Sequence, residues 1–309
     1  MNGNGSLRDT VDVPGPWEHR YIAANGARFH VASMGDGPLV VLLHGFPEFW
    51  WAWRYQLPKL AAAGWRTAAM DLRGYGGSDK TPRGYDPATL TADVSGVVRS
   101  LGEQKAVLIG HGWGGYVAWA TATLRPAHVS ALAVLSMPHP LELRHHLLSG
   151  RRQAGHLLGV QTPALPERRL VANDAAYVET LLRRWVGPES DFPDGEAAAR
   201  YRAAMRLWPA PHCALEYHRW AVRSMARADG RRFAIRMAEP IAVPVMQVHG
   251  GADRTVVARA AAHSHRHVTG PHRFVRFDRV GHFPHEEVPE RVTDEVLDWL
   301  GTVPPPISR

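Results

Sequence analysis

The 309 residues, 45% hydrophobic and 21% charged, suit one large α/β core carrying an insertion rather than a string of small domains. The formal charge is +7, but the arginine pairs at 151 and 152, 168 and 169, 183 and 184, and 231 and 232 are scattered and no recognition motif accompanies them, which argues against nucleic acid as a partner. The lone Cys213 excludes an intrachain disulfide and no apolar run reaches the roughly 18 residues of a membrane span, so a cytoplasmic protein off the membrane is expected.

In chain order, residues 1–16 are polar with Gly and Pro and read as a flexible tail, and Glu18 to Ala32, centred on Asn25 and Gly26, predicts a hairpin. Leu39 to Leu43 is a continuous apolar run, the mark of a strand buried on both faces, and it runs into His44-Gly45-Phe46-Pro47. Arg66 to Met70 is a second strand, ending in the Gly-rich stretch Asp71 to Asp79. Ala106 to Ile109 is a third; it meets Gly110-His111-Gly112-Trp113-Gly114, and a helix-compatible stretch from Tyr116 to Thr123 follows. A fourth, Ala131 to Leu135, leads into Pro138-His139-Pro140. Alternating strands and helices imply βαβ units and a mostly parallel sheet, with ligands bound beyond the carboxyl ends of its strands.

From Leu141 to Met237 this alternation gives way to helical stretches broken at Gly159, Pro163, Pro166, Gly187, Pro188 and Pro209. The strand pattern returns at Ile241 to Val248, before His249 to Asp253, and at Phe274 to Phe277, before Val280 to Phe283. A helix from Pro289 to Leu300 and a Pro-rich tail over 302–309 close the chain. The expected organisation is a core over 17–140 and 238–301 with a helical insertion over 141–237.

The strand-end motifs carry a family resemblance. Gly110-His111-Gly112-Trp113-Gly114 has the small-x-nucleophile-x-small layout of a strained strand-to-helix elbow. With His44 to Pro47, Trp53 to Pro58, Asp71 to Ser78 and Pro138 to Pro140, the chain resembles the α/β-hydrolases of the epoxide hydrolase group along nearly its whole length after the tail. The resemblance implies an α/β-hydrolase fold with a helical cap. It also implies a mechanism in which an elbow carboxylate attacks an epoxide carbon and a His supported by an Asp activates the water that cleaves the resulting ester. The acid and base fall on Asp253 and His282, whereas the nucleophile position falls on Gly112, which has no side chain.

Glycine suits the left-handed backbone of an elbow, and removing a carboxymethyl group vacates space for a water or two, at about 30 Å³ each. Oxyanion-hole donors implied at the amides of Phe46 and Trp113 need no side chain at 112. The cap tyrosine that protonates the leaving oxygen in the family falls on His218, with Tyr217 one residue earlier and turned by about 100° on a helix. Tyr177 and Tyr201 are candidates for the other hydroxyl, Asp71 and His139 for displaced catalysis, and Trp50 or Trp51 for a pocket wall.

His263, His265 and His267 read as a solvated helix, since no flanking acid or HExxH pattern supports a metal. Gly74, Gly76 and Gly77 lack the helix that a dinucleotide loop requires, so no cofactor is expected. The leading expectation is an epoxide hydrolase-like enzyme acting on a small apolar molecule, with His282 and Asp253 activating water for direct attack. A non-catalytic ligand-binding protein, and a lyase, isomerase or cyclase using the pair for proton transfer, remain open, as does a homodimer.

Overall fold

The computed structural model describes residues 7–148, 159–256 and 258–304. The outer parts of the two predicted tails (1–6 and 305–309) and part of the helical insertion (149–158, with its arginine pair) lie outside the described residues. Eight strands form one sheet: β1 (Glu18–Ala24), β2 (Ala27–Met34), β3 (Leu39–Leu43), β4 (Arg66–Met70), β5 (Ala106–His111), β6 (Val129–Leu135), β7 (Val245–Gly250) and β8 (His272–Phe277). Their order is β1-β2-β4-β3-β5-β6-β7-β8, antiparallel where β2 meets β1 and β4 and parallel from β4 to β8. This is the α/β-hydrolase fold.

The sequence explains the layering. Every residue of β3 and β5 is buried, because helices cover both faces of a parallel sheet and leave no strand a polar side. The β1–β2 turn has Asn25 at φ 45° and Gly26 at φ 72°, the paired positive angles that match the strand twist in a two-residue hairpin. The predicted strand over Ile241 to Val248 begins only at Val245. Pro244 has no N–H for the ladder, and Ile241 forms only an isolated bridge to Val268.

The helices are α1 (Leu7–Val11), α2 (Gln56–Ala62), α3 (Pro87–Ser100), α4 (Gly112–Leu124), α5 (Pro140–Leu148), α6 (Leu165–Trp185, non-helical at 172–175), α7 (Gly195–Met205), α8 (Ala210–Arg223), α9 (Ala228–Arg236), α10 (Ala258–Ala262), α11 (Pro284–Glu287) and α12 (Pro289–Leu300). Part of the segment read as a flexible tail, Leu7–Val11, is helical. Val11 and Val13 are buried, and their carbonyls accept hydrogen bonds from the indoles of Trp50 and Trp17, at 2.8 Å each. Helices α5 to α9 stand between β6 and β7 in the chain and pack onto the carboxyl ends of the strands. The Trp185 ring lies 6.1 Å from that of Phe46, and the Tyr217 hydroxyl donates to the Arg73 carbonyl at 2.8 Å.

Candidate active site

Strand β5 passes into helix α4 with no intervening loop, and Gly112 sits at the junction with φ 50°. The neighbouring glycines are sterically required: a Cβ on Gly110 would lie 2.5 Å from the Gly114 carbonyl oxygen, and one on Gly114 would lie 2.1 Å from that of Leu43. Position 112 differs. A Cβ there would meet only Gly45 Cα at 3.5 Å and His282 Nε2 at 3.6 Å, both ordinary contacts. Position 112 therefore has room for a side chain, although its positive φ would strain one, and that space adjoins the imidazole.

His282 and Asp253 come together from the loops after β8 and β7. His282 Nδ1 donates to Asp253 Oδ2 at 2.8 Å, which fixes the tautomer and turns the basic Nε2 toward Gly112. The other oxygen, Asp253 Oδ1, accepts from the Thr255 amide and hydroxyl, both at 2.7 Å, and from the Val256 amide at 3.1 Å. Burial alone would raise the Asp253 pKa; the His282 imidazole and these hydrogen bonds outweigh it and hold the carboxyl at about 2. The Thr255 hydroxyl also lies 2.8 Å from His282 Nδ1, so it bridges both members of the pair. The His282 amide donates to the Trp185 carbonyl at 2.8 Å, anchoring the loop to α6.

Behind the elbow, His111 Nδ1 bonds Glu48 Oε2 at 2.8 Å and its Nε2 donates to the His282 carbonyl at 2.8 Å. Burial works against both charges. Their mutual attraction prevails, depressing the Glu48 pKa well below the carboxylate range and raising that of His111. Burial dominates at His285, whose pKa falls to about 4 although Glu48 lies 3.1 Å away. Among the described residues two groups place three ligating side chains within 4.8 Å of one another: Glu48 with His111 and His285, and Asp12 with His19 and His30. The first is wholly buried and occupied by its own ion pair.

A narrow cleft opens above Gly112 between Phe46, Trp113, Leu143, Trp185 and His218, with His282 and Thr255 in its floor. An outer chamber shares Phe46, Trp185, His218 and Thr255 with it and adds Tyr177 and the guanidinium groups of Arg169, Arg184 and Arg254. His218 is buried rather than on the surface. Its Nε2 accepts from the Trp113 indole at 2.9 Å while Nδ1 donates to the Ala214 carbonyl at 3.1 Å, so the neutral ring has no N–H left for a ligand. Tyr217 faces the Asp71–Ser78 stretch, and the Tyr201 hydroxyl donates to Glu286 beneath Phe49 and Trp51. Tyr177 reaches only the outer chamber, with Arg169 stacked 3.8 Å above its ring.

Other expectations are corrected. Trp50 is no pocket wall: it is fully buried against Trp17, His19 and His30, as sheet packing demands of a large apolar ring whose N–H finds a carbonyl. Trp51, also buried, lies under Arg54 and Tyr201 outside both chambers. His139 is sealed between Trp119 and His267, stacked on the latter at 4.0 Å, and cannot reach the cleft. Asp71 is spent on His30 and on the amides of Trp50 and Gly77. The helix expected at His263 to His267 is a 3-10 turn, in which His267 bonds Glu142 at 3.0 Å. Thr255, Trp185 and His146 line the cleft and were not singled out in the sequence. Thr255 alone left a trace, a hydroxyl two residues beyond the predicted acid.

Comparison with known proteins agrees with this fold. A family model described as the α/β hydrolase fold matches residues 38–289. The chain is 33% identical to AB hydrolase superfamily protein YfhM of Bacillus subtilis, over 91% of this chain and 97% of that protein. It is 30% identical to epoxide hydrolase A of Mycobacterium tuberculosis, over 91% and 96%. Among solved structures, an epoxide hydrolase from an endophytic Streptomyces superposes with a TM-score of 0.80 at 26% identity, covering 93% of this chain and 96% of that one.

Proposed function

The chain belongs to the α/β-hydrolase fold family, and on that premise we propose that it is an epoxide hydrolase-like enzyme that opens a small apolar substrate by direct attack of water. The observation that carries this reading is the position of His282 Nε2, 3.6 Å from the point where a side chain at 112 would begin, with its partner nitrogen held by Asp253. A water in that space meets a base oriented from behind by a carboxylate that is ionised at every working pH. In the proposed step, His282 Nε2 takes a proton from water as the oxygen bonds to an epoxide carbon. The C–O bond to the ring oxygen breaks, and the imidazolium returns its proton to the alkoxide. The amides of Phe46 and Trp113 are assigned the developing negative charge. The helices over the cleft act as the cap that keeps the site apolar.

Replacing His282 by Ala should abolish turnover of an epoxide panel, and in ¹⁸O-water the label should appear in the product with no ester on the enzyme. Turnover without incorporation would sink hydrolysis and leave the lyase, isomerase or cyclase reading. The commitment of His218, Tyr217 and Tyr201 to protein partners favours a second reading, a ligand-binding protein without turnover. In that case His282→Ala leaves ligand affinity unchanged and no epoxide reacts.

A further inference from the structure

At the β1–β2 edge of the sheet, where the residues after α1 meet the hairpin, two imidazoles face each other. His19 Nδ1 and His30 Nε2 are 2.9 Å apart, and the remaining nitrogen of each ring is already committed. His30 Nδ1 lies 2.9 Å from Oδ2 of Asp71, a carboxylate oxygen that also accepts from the Gly77 amide at 2.8 Å. His19 Nε2 lies 2.9 Å from the Val13 carbonyl, which also only accepts. Both outer nitrogens therefore carry hydrogens, and the two inner nitrogens approach to 2.9 Å around a shared proton or another positive centre. Asp12 Oδ1 lies 3.5 Å from His30 Nε2 and accepts from the Tyr21 hydroxyl at 2.9 Å. Two imidazole nitrogens and a carboxylate oxygen thus converge on one gap, an arrangement that calls for a positive centre.

We propose that Asp12, His19 and His30 form a binding site for a divalent transition ion of the zinc type. The donor set is that of such an ion, two neutral imidazoles and a carboxylate with a fourth position left for water. Each histidine has the outer partner that metal-bound imidazoles keep: a carboxylate on His30 and a backbone carbonyl on His19, which fix tautomer and ring direction. At metal–ligand bonds of about 2.0–2.1 Å, tetrahedral donors stand about 3.4 Å apart, so the His30–Asp12 separation already fits and the two rings need to part by about half an ångström. Asp12 and His19 are partly exposed while His30 is buried, which gives an ion a route from solvent. The ligands come from the residue after α1, from β1 and from β2, so a bound ion ties the N-terminal segment to the sheet. The site is separate from the hydrolytic one and does not depend on that reading.

The test uses the full chain stripped of metal with a chelator and titrated with Zn²⁺ or Co²⁺. Trp50 lies 5.2 Å from His19 and 5.9 Å from His30, so Co²⁺ should quench tryptophan emission as it fills the site. We expect saturation at one ion per chain, the visible absorption of tetrahedral Co²⁺, and a melting temperature that rises with Zn²⁺ concentration. His19→Ala and the near-isosteric Asp12→Asn should each weaken binding by about tenfold or more. His263→Ala and His265→Ala, on the separate 3-10 turn, should leave it unchanged. Absence of saturable binding, or equal binding in the His19 and Asp12 variants that retain the native circular dichroism, would overturn the site and leave a shared proton between the two rings.

Discussion

At the scale of the residue, Gly112 and Asp253 carry the sharpest consequences. Gly112→Asp places a carboxylate in space that the backbone already leaves open. Aspartate tolerates the left-handed region better than most residues, so the cost in stability should be about 1 kcal/mol, read by urea unfolding. The variant should acquire an ester intermediate that intact-mass spectrometry detects once His282 is also changed to Gln; a variant that folds yet forms no adduct would mean that the ring-opening acid is missing too. Asp253 titrates lower in the folded chain, at about 2, than its ordinary value of 3.8. A depressed carboxylate pKa stabilises the fold above the unfolded value, and that contribution is lost as pH falls through the folded one. The stability difference between the native chain and Asp253→Asn should thus be constant above about pH 5 and shrink by about 2 kcal/mol on approach to pH 2, measured as unfolding free energy against pH.

At the scale of the element, one buried ion pair joins three parts of the fold. Arg73, in the stretch after β4, donates to both oxygens of Asp93 on α3 at 2.6 and 2.7 Å, and Asp93 also accepts from Asn25 in the hairpin turn at 2.7 Å. Asp93→Ala leaves a buried guanidinium without its carboxylate partner and should cost about 3–5 kcal/mol in urea unfolding. A loss below about 1 kcal/mol would show that solvent reaches Arg73. Such long-range pairing is what the sequence does not display. Strand ends were legible because runs such as Leu39 to Leu43 are apolar at every position, and the glycines at 110 and 114 marked the elbow. Trp50 and His139 were misread because an aromatic or histidine just beyond a strand reads the same whether it turns into the core or the cleft. Trp185 joins the site only through the return path of α6, which no local pattern encodes.

At the scale of the whole molecule, part of the net charge of +7 is gathered at the outer chamber. Arg169, Arg184 and Arg254 line the outer chamber, and no acidic side chain is among the described residues around it. An anionic apolar dye should therefore bind more tightly than its neutral counterpart. The advantage should shrink between low and 0.5 M salt, and fall by about twofold with each arginine replaced by Ala, as fluorescence titration would show. Equal affinities for the two dyes at low salt would mean that the guanidinium groups do not face the bound molecule. The elbow itself has a genetic consequence. Two of the four glycine codons are a single base from an aspartate codon, and no described residue fills the space a Cβ at position 112 would take. With either of those codons the chain stands one point mutation from a nucleophile-bearing form, a step that selection or chance can take in either direction without rebuilding the scaffold.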